Sequence, residues 1–301
     1  MLFFSTAVAL VANLLVGTWN LHWFPSGEAA ASPRVASEVR QQEEVRQTRQ
    51  VAKTLRDGLR ARRAKEATVL FLQEVRDEAA CTNLLAQIGA GPNLRLACIS
   101  KFEVARGCVG LQQDCILTDL PVLDAGWSRW RWPRGTKNTD LALLPPNGYA
   151  FAFLDGGEEG VIACYCVHLK SNYGVTTGAE SASIRGKRER AAEQLVELTK
   201  KIRLDEGRHV TRVVIAGDFN TDVFDLSFEG ERTIPMLTAA GYLNGLASAA
   251  PDQRATCSSS RGRHRSTFDY IFHRGFQAQT ERWLSPVSDV SDHRMVWLRL
   301  E

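Results

Sequence analysis

The sequence predicts an α/β chain of the α+β type: a four-layer sandwich in which two mixed β-sheets pack face to face with helices outside. Three observations predict it. Short apolar runs of strand length alternate with amphipathic stretches of helix length, but without the strict strand–helix–strand rhythm of a doubly wound sheet. Two of the runs, 149–154 and 161–167, are joined by Asp155-Gly-Gly-Glu-Glu-Gly160, a hairpin signal that mixes antiparallel pairs among parallel ones. No repeat, linker or composition break divides the 301 residues, so 13–301 is read as a single domain with a sizeable core.

The elements follow in order. Residues 2–12 form an apolar run too short to span a bilayer. It reads as the core of an export signal over residues 1–12, with Ala7-Val-Ala9 or Leu10-Val-Ala12 before the cut, which predicts a secreted or periplasmic protein. No basic residue precedes the run, and the alternative is an extended first core strand in a cytoplasmic protein. The next strand, 14–19, ends at Asn20 and is complete without it; a loop with Pro and Gly breaks covers 21–33. Over 35–63, Val35, Val39, Val45, Val51, Ala52, Leu55 and Leu59 mark one face of a long helix. The strand 68–72 ends at Gln73 and Glu74, and a helix is expected over 77–88. Strands are expected at 94–99, 111–117, 149–154 and 161–167, the last ending at His168. A helix over 183–202 turns Ala192, Leu195, Val196, Leu198 and Ile202 inward. Four apolar residues, 213–216, make a buried strand that Gly217 ends. A short helix at 233–240 stops before Gly241, and strands at 267–272 and 295–300 complete the chain.

Composition bounds the partners. With 37 basic and 34 acidic residues the net charge is +3, so any polyanion partner must be met by local patches. Seven cysteines, at 81, 98, 108, 115, 164, 166 and 257, show no CxxC spacing, which argues against a zinc ribbon or a thioredoxin-type centre. Cys164 and Cys166 alternate in one strand, face the same way and are poorly placed to bond each other. The sequence shows no obligate protein partner and no membrane span, and a monomer is expected.

Polar residues stand where buried strands end or begin: Asn20, Glu74, His168, Asp218, Asn220, Asp269, Asp292 and His293. Asp218 and Asn220 lie at i and i+2, so an extended backbone would point both the same way. Alone, Gly-Asp-x-Asn is also ordinary turn chemistry after a core strand. The inventory as a whole suits phosphoryl chemistry: carboxylate and amide oxygens for a hard cation, a base for water, and imidazoles that act near neutral pH.

Six pieces in order carry a resemblance: Gly17-Thr-Trp-Asn20, Leu72-Gln-Glu-Val75, Val167-His-Leu-Lys-Ser171, Gly217-Asp-Phe-Asn-Thr221, Thr267-Phe-Asp-Tyr-Ile271 and Ser291-Asp-His293. With them the chain resembles the endonuclease/exonuclease/phosphatase superfamily, which includes pancreatic-type deoxyribonuclease, abasic-site endonucleases, neutral sphingomyelinases and inositol-polyphosphate phosphatases. The resemblance implies Glu74, helped by Asn20 and Asp292, binding Mg²⁺ or Mn²⁺. It implies Asp218 positioning and deprotonating the attacking water, and Asn220 holding that water or a phosphate oxygen. His293 would donate to the non-bridging oxygens with Asp269 orienting it, and His168 matches the second histidine of deoxyribonuclease-like members. The partner of His168 is not placed; Glu103 and Asp114 qualify by charge type only. In-line attack on phosphorus without a covalent intermediate is implied.

Three stretches bear on the substrate. Arg129-Trp-Arg-Trp132, followed by Arg134 and Lys137, is either a stacking and phosphate-binding groove or Trp packed inward beneath solvated Arg. Ser258 to Arg265 is a basic loop with Arg261, Arg263 and Arg265. Residues 170–190 hold Lys170, Asn172, Gly174, Gly178, Arg185, Lys187, Arg188 and Arg190. Basic charge at a helix start is explained by a nearby anion, or by pairing with Glu189 and Glu193. Lys170, Asn172, Arg261, Arg263 and Arg265 are the candidate substrate contacts. The expected substrate is a phosphate ester such as DNA or RNA, with a lipid or small-molecule phosphoester, or a non-catalytic binding module, as alternatives.

Overall fold

A computed structural model describes residues 13–27, 36–89, 93–131, 145–172, 177–200, 202, 209–258 and 265–301. The apolar run 2–12 and its export reading, and Val35, Trp132, Arg134, Lys137, Gly174, Arg261 and Arg263, lie outside these residues.

Strands are numbered in chain order. One six-stranded sheet contains β1 (Leu14–Phe24), β2 (Ala67–Val75), β3 (Arg95–Ile99), β6 (Gln113–Thr118), β15 (Gln279–Leu284) and β16 (Val296–Leu300), in the order β15-β16-β1-β2-β6-β3. The other contains β7 (Val122–Arg129), β8 (Gly148–Asp155), β9 (Val161–His168), β10 (Val210–Asp218), β11 (Leu243–Asn244) and β14 (Asp269–Arg274), in the order β11-β14-β10-β9-β8-β7. Two short ribbons pair β4 (Glu103–Ala105) with β5 (Cys108–Val109), and β12 (Cys257–Ser258) with β13 (Arg265–Ser266). The helices are α1 (Ser37–Leu59), α2 (Glu78–Ile88), α3 (Gly178–Lys200), α4 (Thr233–Ala239) and α5 (Pro251–Arg254).

Three apolar clusters make the four layers. Between the sheets pack Val16, Val69, Phe71, Ile116, Val214, Ala216, Ile271 and Leu298. Outside the first sheet, Trp19, Leu70, Leu72 and Trp297 meet Val51, Ala52 and Leu55 of α1 and Leu84 of α2. Outside the second, Tyr165, Ile215, Tyr270 and Phe272 meet Ala191 and Leu195 of α3 and Leu237 of α4. The central strands β1, β2, β9 and β10 are therefore buried on both faces, which is why they read as continuous apolar runs. The hairpin expected between 149–154 and 161–167 is the antiparallel pair β8–β9.

Each sheet is built around one parallel pair, β1–β2 crossed over by α1 and β9–β10 crossed over by α3. Parallel strands end on the same edge, so Asn20, where the regular pairing of β1 stops, lies beside the end of β2 that holds Glu74, and His168 and Asp218 end β9 and β10 together. An antiparallel neighbour begins where they end: Asp269 at the start of β14 lies opposite Asp218, and His293 closely precedes β16, which pairs with β1. Strand direction thus brings six residues, far apart in sequence, to one rim.

Three local expectations are corrected. Val39 and Val45 are exposed, because they lie about 120° around the helix from Val51, and the buried face is set by Val51, Ala52, Leu55 and Leu59. In α3, Leu198 is exposed and Arg188 is buried. Asn220 does not continue an extended strand. Its φ of 52° turns the chain, and its backbone N–H donates to Asp218 Oδ1 at 2.8 Å. The physical reason is the local turn chemistry of Asp and Asn, which outcompetes alternation once the strand loses its ladder partner.

Gly217 is where the two central strands of the second sheet come closest before the rim. Its φ is 149°, and a Cβ there would stand 1.9 Å from the Val167 carbonyl oxygen. Gly217→Ala is expected to cost about 3 kcal/mol from overpacking and backbone strain. Urea denaturation measures it; an unchanged midpoint would contradict the close approach.

Candidate active site

The rim holds two carboxylates from different sheets joined by one amide. Asn20 Nδ2 donates to Glu74 Oε1 at 3.1 Å and to Asp218 Oδ2 at 2.9 Å. Asn20 Oδ1 accepts the His22 backbone N–H at 3.0 Å, so the nitrogen rather than the oxygen faces the carboxylates. Glu74 is held further by the Trp23 backbone N–H at 3.1 Å and Gln112 Nε2 at 2.6 Å, both to Oε2. Asn220 Nδ2 donates to the Leu169 carbonyl at 3.0 Å and pins the chain that follows His168.

Backbone strain concentrates here. Among the described residues six non-glycines have positive φ, and four of them are His22, Trp23, Glu74 and Asn220. Non-glycine residues hold that conformation only where the surroundings over-determine it, which is common at functional sites.

Two imidazoles converge on the same carboxylate. His168 Nε2 lies 3.7 Å and His293 Nε2 3.8 Å from Asp218 Oδ2. His168 Nε2 is also 3.9 Å from Glu74 Oε1, and His293 Nε2 is 3.9 Å from Asp292 Oδ1. These separations are too long for direct hydrogen bonds and suit an oxygen atom held between the groups. The other nitrogen of His293, Nδ1, sits 2.7 Å from Asp269 Oδ2, which fixes the ring and leaves Nε2 facing the rim. Asp292 is tied to β1 through His22 Nδ1 at 2.9 Å. Ser291 Oγ bonds the Asn20 carbonyl at 2.7 Å and takes the His293 N–H at 3.0 Å, locking the Ser-Asp-His segment to the end of β1.

Electrostatics follow from burial. Burial pushes the Asp218 carboxyl above its ordinary range; His293 and His168 and the Asn20 bond pull the other way, and Asp269 adds to the rise. Burial disfavours a charged His293, but the Asp269 and Asp218 carboxylates outweigh it and hold the imidazolium well above its usual range. Asp114, at the start of β6, is pushed well up by burial and then by the charges of Asp218 and Glu74. It is a buried acid behind the rim, and its Oδ2 has no partner; nor has Asp269 Oδ1. Carboxyls thus outnumber imidazoles around this rim. Excess oxygen donors with two orphaned carboxyl oxygens fit a hard divalent cation better than they fit one another.

Of the expected substrate contacts, Arg265 is exposed at the rim ribbon β12–β13. Asn172 and Lys170 are half-buried and held by a residue of α3: Arg188 donates to the Lys170 carbonyl at 2.9 Å and to Asn172 Oδ1 at 2.8 Å. Arg188 is itself buried in a two-pronged pair with Glu231, at 2.8 and 2.6 Å. The basic helix start expected from the sequence is corrected: α3 begins at Gly178 with Glu180 in its first turn, Arg185 to Arg190 lie further along it, and Arg188 is accounted for by a structural ion pair. Trp130 packs inward on Tyr149 while Arg129 and Arg131 stay exposed, the second of the two readings of that stretch. Glu103 is exposed on β4. Sequence reasoning missed Gln112, His22, Ser291 as a brace, and Arg188–Glu231. Only Ser291 and His22 carried a signal, by adjacency to Asp292 and Asn20.

Comparison with known proteins gives the family and the fold. The Endonuclease/Exonuclease/phosphatase family model matches residues 17–293. No curated protein matches the sequence. Among solved structures, an endonuclease/exonuclease/phosphatase from Beutenbergia cavernae is similar at 18% identity and a TM-score of 0.62, over 96% of this chain and 71% of that one. D. rerio TDP2, solved with a single-strand DNA product, is similar at 14% identity and 0.57, over 96% and 99%. ANGEL2, a 2',3'-cyclic phosphatase, is similar at 14% identity and 0.59, over 96% and 95%. At these identities the structures show a shared fold.

Two outcomes are expected. The raised Asp218 carboxyl loses its base form as pH falls through its value, and the raised His293 loses its proton as pH rises through its own, so kcat/KM against pH should be bell-shaped. Asp269→Asn removes the charge that holds His293 up and should move the alkaline limb to lower pH; an unmoved limb would separate His293 from that limb. Arg188→Met leaves Glu231 buried without its partner and should cost about 3–5 kcal/mol in chemical denaturation, most of it recovered when Glu231→Leu is added.

Proposed function

Because the chain belongs to the endonuclease/exonuclease/phosphatase family, whose model spans nearly all of it, we propose that this metal-dependent phosphoesterase is a nuclease or general phosphodiesterase acting on DNA or RNA. The observation that carries the nucleic-acid reading is the distribution of cations. Lys101, Arg106, Arg129, Arg131, Arg185 and Arg265 are all exposed. Each lies on or beside an element at the strand ends that form the rim: the β4–β5 ribbon and the residues leading into it, the end of β7 beside the start of β8, the N-terminal half of α3, and β13. A near-neutral chain that clusters exposed positive charge around a carboxylate–imidazole centre suits a substrate with several phosphates.

The roles follow from the geometry. Glu74 and Asp292 are the proposed carboxylate ligands, and Mg²⁺ or Mn²⁺ bound there would draw charge from the phosphate oxygens; Asn20 would join the set only through its oxygen, by turning the amide that now bonds both acids through its nitrogen. Asn20 also spaces Glu74 from Asp218. Asp218 is the proposed base: its Oδ2 faces both imidazoles, and a water held there can pass its proton to the carboxylate as it attacks phosphorus in line. His293, kept charged by Asp269, donates to the non-bridging oxygens as charge develops, and His168 serves the same oxygens from the other side. Asn220 sets the Asp218 carboxylate through its backbone N–H and holds the His168 segment.

With Mg²⁺ or Mn²⁺ the purified protein is expected to nick plasmid DNA, and EDTA to stop it. Asp218→Ala and His293→Ala should each lower kcat by about 10²–10⁴-fold while the fold is retained. Hydrolysis of sphingomyelin or a phosphomonoester, with DNA and RNA left intact, would assign the site to a lipid or small-molecule phosphoester instead.

A further inference from the structure

Cys257 lies at the rim beside two residues of the catalytic set. One ligand atom each from Cys257, Asp292 and His293 lies within 4.8 Å of the others. The backbone couples the three. Cys257 and His293 form a β-bridge, the Ser258 N–H bonds the Asp292 carbonyl at 3.0 Å, and the Arg294 N–H bonds the Thr256 carbonyl at 2.6 Å. A thiol, an imidazole and a carboxylate differ in kind from the all-oxygen set around Glu74. Hard cations prefer the oxygens; a mixed sulfur, nitrogen and oxygen set selects a softer ion.

We propose that Cys257, Asp292 and His293 form a second cation site, selective for zinc, whose occupation inhibits the enzyme. Tetrahedral zinc, with bonds of about 2.0 Å to nitrogen and oxygen and 2.3 Å to sulfur, spaces one sulfur, one nitrogen and one oxygen about 3.3–3.5 Å apart. The His293 Nε2 to Asp292 Oδ1 separation is already 3.9 Å. Cys257 stands on a two-residue ribbon strand whose backbone is tied to His293 and Asp292, so its side chain closes the remaining gap of about 1 Å. The outer contacts are those such a site needs: Asp269 holds the Nδ1 side of His293, and His22 holds Asp292. Three protein ligands leave the fourth position to water. On binding, the Cys257 S–H and the His293 Nε2–H bonds break, both protons pass to water, and S–Zn and N–Zn bonds form; nothing is oxidised or reduced.

Inhibition follows because zinc on Nε2 removes the face of His293 turned to Asp218, and because it takes Asp292 from the Mg²⁺ set. That consequence rests on the catalytic reading above; the binding does not.

The test uses the metal-free full chain and Co²⁺ as a spectroscopic probe. Wild-type protein should take up one equivalent with a thiolate-to-cobalt charge-transfer band and the intense visible bands of tetrahedral cobalt. Cys257→Ser and Cys257→Ala should lose the thiolate band and bind at least about tenfold more weakly. Cys108→Ser, which removes the exposed thiol, should keep it. A band that survives in both Cys257 variants, or is missing from wild type, overturns the site. Zinc titrated into the Mg²⁺-supported reaction should inhibit wild type at concentrations at least about tenfold below those needed for Cys257→Ser, with the zinc-free rate unchanged. Equal sensitivity overturns the inhibitory role. If no phosphoester is cleaved at all, the catalytic reading falls while the cobalt spectra still decide the site.

Discussion

One amide group carries the structural problem of this site. Glu74 ends a strand of the first sheet and Asp218 a strand of the second, and both are buried. Two carboxylates brought that close in a low-dielectric rim repel, and only donors between them keep both in place. Asn20 supplies those donors from a single nitrogen, and the His22 backbone supplies the counter-bond that stops the amide from turning. The orientation of both acids depends on this short bridge, which joins the rims of the two sheets.

The rest of the rim repeats the same logic. Each functional side chain is set by a contact from a different segment: Glu74 by Gln112, His293 by Asp269, Asp292 by His22, and the His168 segment by Asn220 and Arg188. The positive φ at Glu74 and Asn220 shows that these contacts outweigh intrinsic backbone preference.

Much of this was legible in the sequence because strand ends are visible as polar residues after apolar runs. Asn20, Glu74, His168, Asp218 and Asp269 are found that way, and the two mixed sheets with outer helices follow from the same runs. What was not legible was contact between segments. Gln112 looks like any loop glutamine, and nothing local marks Arg188 as a buried cation. The face of α1 was misread for a related reason: Val39 and Val45 satisfy an apolar pattern, but burial is decided by the sheet beneath. Asn220 was misread because alternation stops once the chain leaves its ladder.

The pairing of β1 with β16 has a consequence for how the protein is made. The first and last described strands are neighbours in the middle of a sheet. A nascent chain leaving the ribosome already carries Glu74, His168 and Asp218 when β16 and the Ser-Asp-His segment are still unmade. Contacts of such long sequence separation close late in folding. A rim built this way is incomplete until the Ser-Asp-His segment is made, and the brace on His293 closes only when β16 has paired with β1.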